Sequence, residues 1–313
     1  MKPDLLVAYP TRPRQMALLE EAYTLHRLDL ASDKAAMLAE VGPRCTAMVC
    51  NGHVTVDEAF LAQLPALKIV ASSSVGYDTM DVPAMTRAGV RLTNTPDVLT
   101  DDVADTALML LLAARRQLVQ GDRHVRTGEW GRSGPMPLTR STAGKTVGIV
   151  GLGRIGSAIA KRCEALGLVV GYFGRSEKPD TGYRYFDDVV ALAEWSDILI
   201  AATSGGAGTR AIVSAAALEA LGPEGSFINI ARGSVVDEPA LIAALTEGRL
   251  GTAGLDVFEN EPFPDTAFRD LENVVLYPHH ASGTEETRDK MAQLVVDNLA
   301  AHFAGRELLT PVN

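Results

Sequence analysis

The chain reads as an α/β protein of two doubly wound parallel-sheet domains, and three observations predict it. Its 313 residues exceed what one ordinary core organises, which predicts two domains, each with its own apolar interior. Short β-branched runs alternate with helical apolar stripes along the chain, as expected when covering helices join parallel strands. One such run, starting at Lys145, breaks into glycines at Gly151, Gly153 and Gly156, so that a strand feeds a tight turn and the turn feeds a helix.

Composition narrows the class before any motif is weighed. Hydrophobic residues at 47% and charged residues at 22% are ordinary for a globular enzyme and exclude a disordered or low-complexity chain. A net charge of −10 argues against a nucleic-acid or anionic-membrane surface. Cys45, Cys50 and Cys163 are odd in number and widely spaced, which suggests neither a disulfide framework nor a thiolate metal site. Met1 to Ala8 carries no secretory apolar region, and the longest apolar block, Ala107 to Ala114, is too short to span a bilayer. A cytoplasmic protein is expected.

In chain order, Leu5 to Tyr9, Thr46 to Cys50 and Lys68 to Ser72 read as buried strands, and Met16 to Leu28 as a helix. Ligands on open α/β sheets sit beyond the carboxyl ends of strands, so Asn51 and the Val75-Gly76 turn are candidates to face a cleft. For Asn51 a plain connecting turn is the competing reading. Thr100 reads as the cap of a long helix with Asp101 and Asp102 in its first turn and Arg115 and Arg116 at its end, each sign matched to the helix dipole. Between them the helix reads as apolar all round, Ala104 to Leu112 leaving no polar face, which predicts burial between domains or subunits.

The glycine turn is the centre of the chain. In Gly151-Leu152-Gly153-Arg154-Ile155-Gly156 the first glycine permits the tight turn, the second lets backbone approach a pyrophosphate, and the third lets the helix lie close on its strand. Ala158, Ile159, Cys163 and Leu166 continue as a helical stripe, and Leu168 to Phe173 as the next strand. After that strand an acidic residue would bind the adenine ribose of NAD, yet Gly174-Arg175-Ser176 stands there. Arg175 and Ser176 suit a ribose 2′-phosphate, which predicts NADP(H) with NAD still possible; an exposed loop arginine is the alternative.

Later strands are expected at Asp197 to Ala202, Ser226 to Ala231, Gly254 to Phe258 and Asn273 to Tyr277. Beyond them stand Thr203, Arg232, Glu259 with Glu261, and His279 with His280. An Arg, a Glu and a His at neighbouring strand ends are what a hydride-transfer site on such a sheet needs. No further ligand set accompanies His279-His280, so no metal site is expected. Ser282-Gly-Thr-Glu285 reads as a capping box for a final helix with Met291, Leu294, Val295 and Leu299 on one face, ended by Gly305 and packed on the first domain.

These residues resemble a family, the D-isomer-specific 2-hydroxyacid dehydrogenases. The resemblance runs through Asn94-Thr-Pro-Asp97, Val103-Ala-Asp105, the glycine turn, Asn229-Ile-Ala-Arg-Gly233, Val236-Asp237, Gly254 to Pro262 and Pro278-His279, and so covers essentially the whole chain. It is strongest to the glyoxylate, hydroxypyruvate and hydroxyphenylpyruvate reductase branch, whose members usually prefer NADPH. The resemblance implies a Rossmann nucleotide-binding domain at 99–284 inserted into a flavodoxin-like substrate domain at 1–98 and 285–313. It implies catalytic roles for Arg232, Glu261 and His279: the guanidinium binds the substrate carboxylate and polarises the carbonyl, the imidazole supplies the proton, and the carboxylate fixes the imidazole. Glu261 is chosen over Glu259 because it directly precedes a proline.

The same likeness assigns the backbone N–H groups of Val75 and Gly76 to the substrate carboxylate, beside the strand-end candidate Asn51, and Thr203, Ile230, Ala231, Asp256 and Ser282 belong to the expected cofactor set. It implies a homodimer built on the helix after Thr100, with Trp130 either reaching the partner's active site or packing the interface. Two departures stand out: Thr203 to Gly208 lacks the family's common proline, and Ala281 replaces a common glycine. The expected activity is NADPH-dependent reduction of a small 2-oxo acid to the D-2-hydroxy acid. Hydroxyphenylpyruvate, 2-ketogluconate-type substrates and a non-catalytic dinucleotide sensor are the alternatives.

Overall fold

The computed structural model describes residues 2–313, and the chain divides into two compact units, Met1–Leu99 with Ser282–Asn313, and Thr100–Ala281. In chain order the first unit holds β1 (Asp4–Val7), α1 (Pro13–Ala22), β2 (Thr24–Arg27), α2 (Lys34–Val41), β3 (Ala47–Cys50), α3 (Glu58–Leu61), β4 (Ile69–Ser72), α4 (Val82–Arg87) and β5 (Arg91–Thr93). All five strands are parallel, in the order β2-β1-β3-β4-β5, which is the flavodoxin-like arrangement. The expected two-sheet α/β class is therefore the one observed.

The predicted helix from Met16 to Leu28 is corrected by this sheet. Helix α1 begins at Pro13, where a missing N–H costs nothing, and stops at Ala22. Thr24–Arg27 then turns extended and adds to the open edge of β1, with Leu25 opposite Leu5. Leu25 and Leu28 continue the helical spacing of Leu18, but a free strand edge offers β-branched Thr24 and its neighbours a backbone partner that periodicity does not reveal. His26 closes that edge, its Nε2 lying 2.6 Å from Asp4 Oδ1.

Alternation in the strands divides the first unit's core. Leu5, Val7, Ala47, Val49, Ile69 and Ala71 face one side, against Val295 and Leu299 of the C-terminal helix Glu285–Phe303. Leu6, Met48, Val70 and Leu92 face the other, against Leu38, Leu61 and Met85. The cap of the C-terminal helix also differs from expectation. Thr284, not Ser282, adopts the extended cap conformation, and its hydroxyl accepts from Thr287 N at 3.2 Å. Along the buried face Leu294 is only partly covered, while Asn298 is 1% exposed. Its side chain repays that burial by donating to Thr310 Oγ1 at 2.9 Å and accepting from Leu309 N at 3.0 Å, which pins the tail beside β5.

The second unit opens with α5 (Thr100–Arg115), α6 (Leu118–Arg126) and α7 (Glu129–Ser133). It continues β6 (Thr146–Val150), α8 (Arg154–Ala165), β7 (Val169–Phe173), β8 (Arg184–Phe186), α9 (Val189–Trp195) and β9 (Ile198–Ala201). Then come α10 (Ala215–Leu221), β10 (Ser226–Asn229), α11 (Glu238–Thr246), β11 (Thr252–Leu255) and β12 (Val274–Leu276). The parallel order β12-β11-β10-β9-β6-β7-β8 is the Rossmann order with one strand added at the edge, and its direction switches between β6 and β9. Thr100 is the first residue of α5 rather than a flanking cap. The helix is not buried all round: Asp101, Asp105, Met109 and Leu112 form one exposed line at helical spacing. Arg162 of α8 covers the acidic end of that line, with Nη2 2.9 Å from Asp101 and Nε 2.6 Å from Asp105.

Candidate active site

Strand β6 delivers the glycine turn to the switch point of the sheet. Gly151 has φ +101°, and a side chain there would come within 2.9 Å of the Thr203 backbone, so the turn requires glycine and packs directly on the loop after β9. A Cβ on Gly156 would lie 2.0 Å from the Gly151 carbonyl oxygen, which fixes α8 against the turn. Gly153 differs: a Cβ there would meet nothing within 4 Å, and as the cap of α8 it leaves the helix's first N–H groups without a side-chain acceptor. An open cradle before an uncapped helix N-terminus fits the pyrophosphate of a dinucleotide. Leu152 is buried beneath the turn, Ile155 half-buried, and Arg154 exposed.

Arg175 and Ser176 follow β7 and are exposed. Among the described residues Arg175 forms no ion pair with a carboxylate, so its charge is not spent on the protein. Sequence reasoning passed over Lys178. Its Nζ donates to the Leu152 carbonyl at 2.6 Å and its N–H to the Tyr172 hydroxyl at 2.6 Å, tying the Arg175 loop to the glycine turn. A lysine in a polar loop has no periodic signal, and only the fold brings these segments together.

Arg232, Glu261 and His279 lie beyond the carboxyl ends of β10, β11 and β12, three adjacent strands. Asn229 shapes the first of these ends, donating from Nδ2 to the Arg232 carbonyl at 2.9 Å and accepting from Ala231 N at 3.0 Å. Arg232 Nη1 donates to the Ala231 carbonyl at 2.7 Å, and Ile230 and Ala231 are buried behind it. His279 Nδ1 lies 2.6 Å from Glu261 Oε2, while Glu261 Oε1 accepts from Phe258 N at 2.9 Å, so the carboxylate is held from behind and faces the ring. The competing Glu259 is turned to Arg210, 2.6 Å away, and its N–H donates to Glu238.

His279 has φ +49°, a conformation uncommon for a side chain larger than glycine's. Its N–H donates to the Asp256 carbonyl at 2.7 Å, and the Asp256 carboxylate accepts from His280 N at 2.7 Å and Ala281 N at 3.1 Å. Burial pushes the Asp256 carboxyl up from its ordinary range, against the two amides that favour its charge. Asp256, which the resemblance places on the nicotinamide side, also braces the turn that carries His279. His280 offers its N–H to Asp256 and stacks edge-on to Tyr277. At 33% side-chain exposure the His279 ring stays open to a reactant while Glu261 is more covered.

In the first unit the loops after β3 and β4 are laced together at the strands' carboxyl ends. Gly52 N donates to Ser74 Oγ at 2.8 Å, and Asn94 Nδ2 to the Val75 carbonyl at 2.9 Å. Asn51 is 8% exposed, with Oδ1 accepting from His53 N at 3.1 Å. Val75 and Gly76 are half-buried beside it. Ser282 opens the segment that returns to this unit.

A Rossmann sheet with a glycine turn at its switch point, and an imidazole backed by a carboxylate beyond neighbouring strands, defines a nicotinamide-dependent oxidoreductase. The chain belongs to the D-isomer specific 2-hydroxyacid dehydrogenase family: residues 108–281 match the family's NAD binding domain. It is 50% identical over 294 residues to glyoxylate/hydroxypyruvate reductase A of Arabidopsis thaliana, covering 94% of each chain. Identity to hydroxyphenylpyruvate reductase of Plectranthus scutellarioides is also 50% over 294 residues, with 94% of each covered. It also resembles the crystal structure of an NADPH-dependent glyoxylate/hydroxypyruvate reductase from Sinorhizobium meliloti in complex with NADP and malonate. That likeness has TM-score 0.92 and 43% identity over 100% of this chain and 97% of the other. Among the described residues no helix is long and apolar enough to cross a membrane.

Proposed function

We propose that the protein reduces a short 2-oxo acid of the glyoxylate or hydroxypyruvate type with NADPH, giving the D-2-hydroxy acid. The observation that carries this reading is the 2.6 Å contact of His279 Nδ1 with Glu261 Oε2. With Nδ1 committed to the carboxylate, the other ring nitrogen, Nε2, is the proton donor. When bound, the reduced nicotinamide supplies a hydride to the carbonyl carbon. His279 gives its Nε2 proton to the carbonyl oxygen as charge develops there, and Glu261 stabilises the ring while it is protonated. Arg232 binds the substrate carboxylate and polarises the carbonyl, a task for a planar fork of donors. The backbone N–H groups of Val75 and Gly76, with Asn51, hold the same carboxylate.

Residues 151–156 would hold the pyrophosphate, Arg175 and Ser176 the ribose 2′-phosphate, and Thr203, Ile230, Ala231 and Ser282 the remainder of the cofactor. Asp256 lines the nicotinamide side and also braces the His279 turn. The protein is cytoplasmic and a homodimer in this reading, the latter supported by the exposed apolar side chains Met109, Leu112, Leu118, Val119, Val125 and Trp130 on α5, α6 and α7. Equal identity to a hydroxyphenylpyruvate reductase favours an aryl 2-oxo acid as the second reading. NADPH and NADH oxidation measured with glyoxylate, hydroxypyruvate, hydroxyphenylpyruvate and 2-ketogluconate tests both. Turnover of none of these acids with either cofactor would overturn the proposal, and selective turnover of hydroxyphenylpyruvate would favour the second reading.

A further inference from the structure

The amino-terminal ends of β10 and β11, at the opposite end of the strands from His279, border a cavity of about 200 Å³ lined by Arg115, Thr139, Arg140, Glu224, Ser226 and Thr252 among others. Arg115 ends α5 and is 4% exposed. Its Nη1 donates to Ser226 Oγ at 3.1 Å and its Nη2 to the Ser141 carbonyl at 2.9 Å. A guanidinium carries five N–H groups, so these two bonds leave donors over, and Nε is buried with no partner.

Among the described residues no carboxylate lies within ion-pair distance of Arg115, and the acids whose fields reach it are committed elsewhere. Asp197 accepts from Lys145 Nζ at 2.8 Å and Thr146 N at 2.9 Å, and Glu224 lies 2.6 Å from Arg140. The carbonyl end of α5 offsets only part of the charge. A buried cation with spare donors, facing a polar cavity, is costly until an anion completes it. Hydroxyls stand ready on one wall, where Thr252 Oγ1 donates to Ser226 Oγ at 3.0 Å, and a second guanidinium, Arg140, stands at the rim.

We propose that this cavity binds a small oxyanion of the phosphate type, held from within by Arg115, at the rim by Arg140, and by the hydroxyls of Ser226 and Thr252. It is separate from the 2′-phosphate position at Arg175 and from Arg232, both of which stand at the carboxyl ends of strands. Bound anion compensates Arg115 and ties α5 to the starts of β10 and β11, so occupancy raises the stability of the second unit.

The test is titration of the full-length protein with inorganic phosphate, read by thermal unfolding and by ³¹P line width, against chloride at matched ionic strength. A saturable rise in midpoint is expected. Arg115→Met should abolish it, and Arg140→Gln should raise the phosphate Kd about tenfold, the loss of one charge-assisted contact. Arg175→Ala and Arg232→Ala should retain a saturable rise, since they remove the other cationic anion positions and leave this cavity whole. A response that follows ionic strength alone, survives both Arg115→Met and Arg140→Gln, or disappears with Arg175→Ala or Arg232→Ala would overturn the proposal. Should Arg115→Met fail to fold, Arg140→Gln and Ser226→Ala carry the same decision.

Discussion

Replacing Glu261 by glutamine changes one oxygen to an amide nitrogen in a side chain whose two ends are both engaged. Oε1 accepts from Phe258 N at 2.9 Å, so glutamine keeps that bond by leaving its carbonyl there. Its NH₂ then points at His279 Nδ1 across the 2.6 Å contact and donates where the carboxylate accepted. The ring can meet a donor at Nδ1 only when that nitrogen is bare, and the doubly protonated ring loses its partner. Turning the amide over places the mismatch at Phe258 N instead. A hydrogen bond to a charged group contributes about 1.5–3 kcal/mol, so kcat/KM should fall roughly tenfold to a hundredfold. Steady-state kinetics with the preferred acid and NADPH, with the NADPH Kd measured by fluorescence, checks this. The Kd should move by no more than about twofold, because the glycine turn and the Arg175 loop are untouched. Glu259→Gln, which touches Arg210 rather than the ring, is the control and should be near parental. A folded Glu261→Gln protein with parental kcat/KM would refute the coupling of this carboxylate to the acid.

Three further predictions concern the cofactor turn and stability. Arg175→Ala should weaken NADPH about tenfold to a hundredfold and leave NADH nearly unchanged; equal loss for both cofactors would make Arg175 structural. Gly153→Ala should melt like the parent, because its Cβ enters open space, yet bind NADPH poorly, whereas Gly156→Ala should lower the melting temperature by forcing a Cβ onto the Gly151 carbonyl. Parental NADPH affinity in Gly153→Ala would mean the pyrophosphate does not pass there. Burial pushes the Asp197 carboxyl up, but Lys145 and Thr146 outweigh it and hold it below the usual range. Its charge therefore stabilises the fold above an unfolded value of about 3.9 and ceases to do so as pH falls through the lower folded value. Asp197→Asn should cost about 1 kcal/mol at pH 7 by urea unfolding, discounted for partial exposure, with the gap to the parent narrowing below about pH 4. A gap that does not change with pH would show that the charge is not the source.

The two-sheet class, the buried strands and the glycine turn were legible in the sequence because each is a local matter. Val147 to Val150 must be extended and apolar to sit mid-sheet, and Gly151 must be glycine to hold φ +101°. Arg232, Glu261 and His279 were found by motif, and the choice of Glu261 over Glu259 needed a proline and a resemblance rather than physics. What the sequence could not carry was pairing between distant segments. Thr24–Arg27 is a strand because β1 has a free edge, Asn298 is tolerable inside because the tail returns to it, and Asp256 braces His279 because β11 and β12 lie side by side. Lys178 meets Leu152, and Arg115 lies buried under strand starts far along the chain, for the same reason. Periodicity and propensity report what a residue does to its neighbours in sequence, whereas the free energy of a buried polar group depends on which partner the fold brings within hydrogen-bond reach.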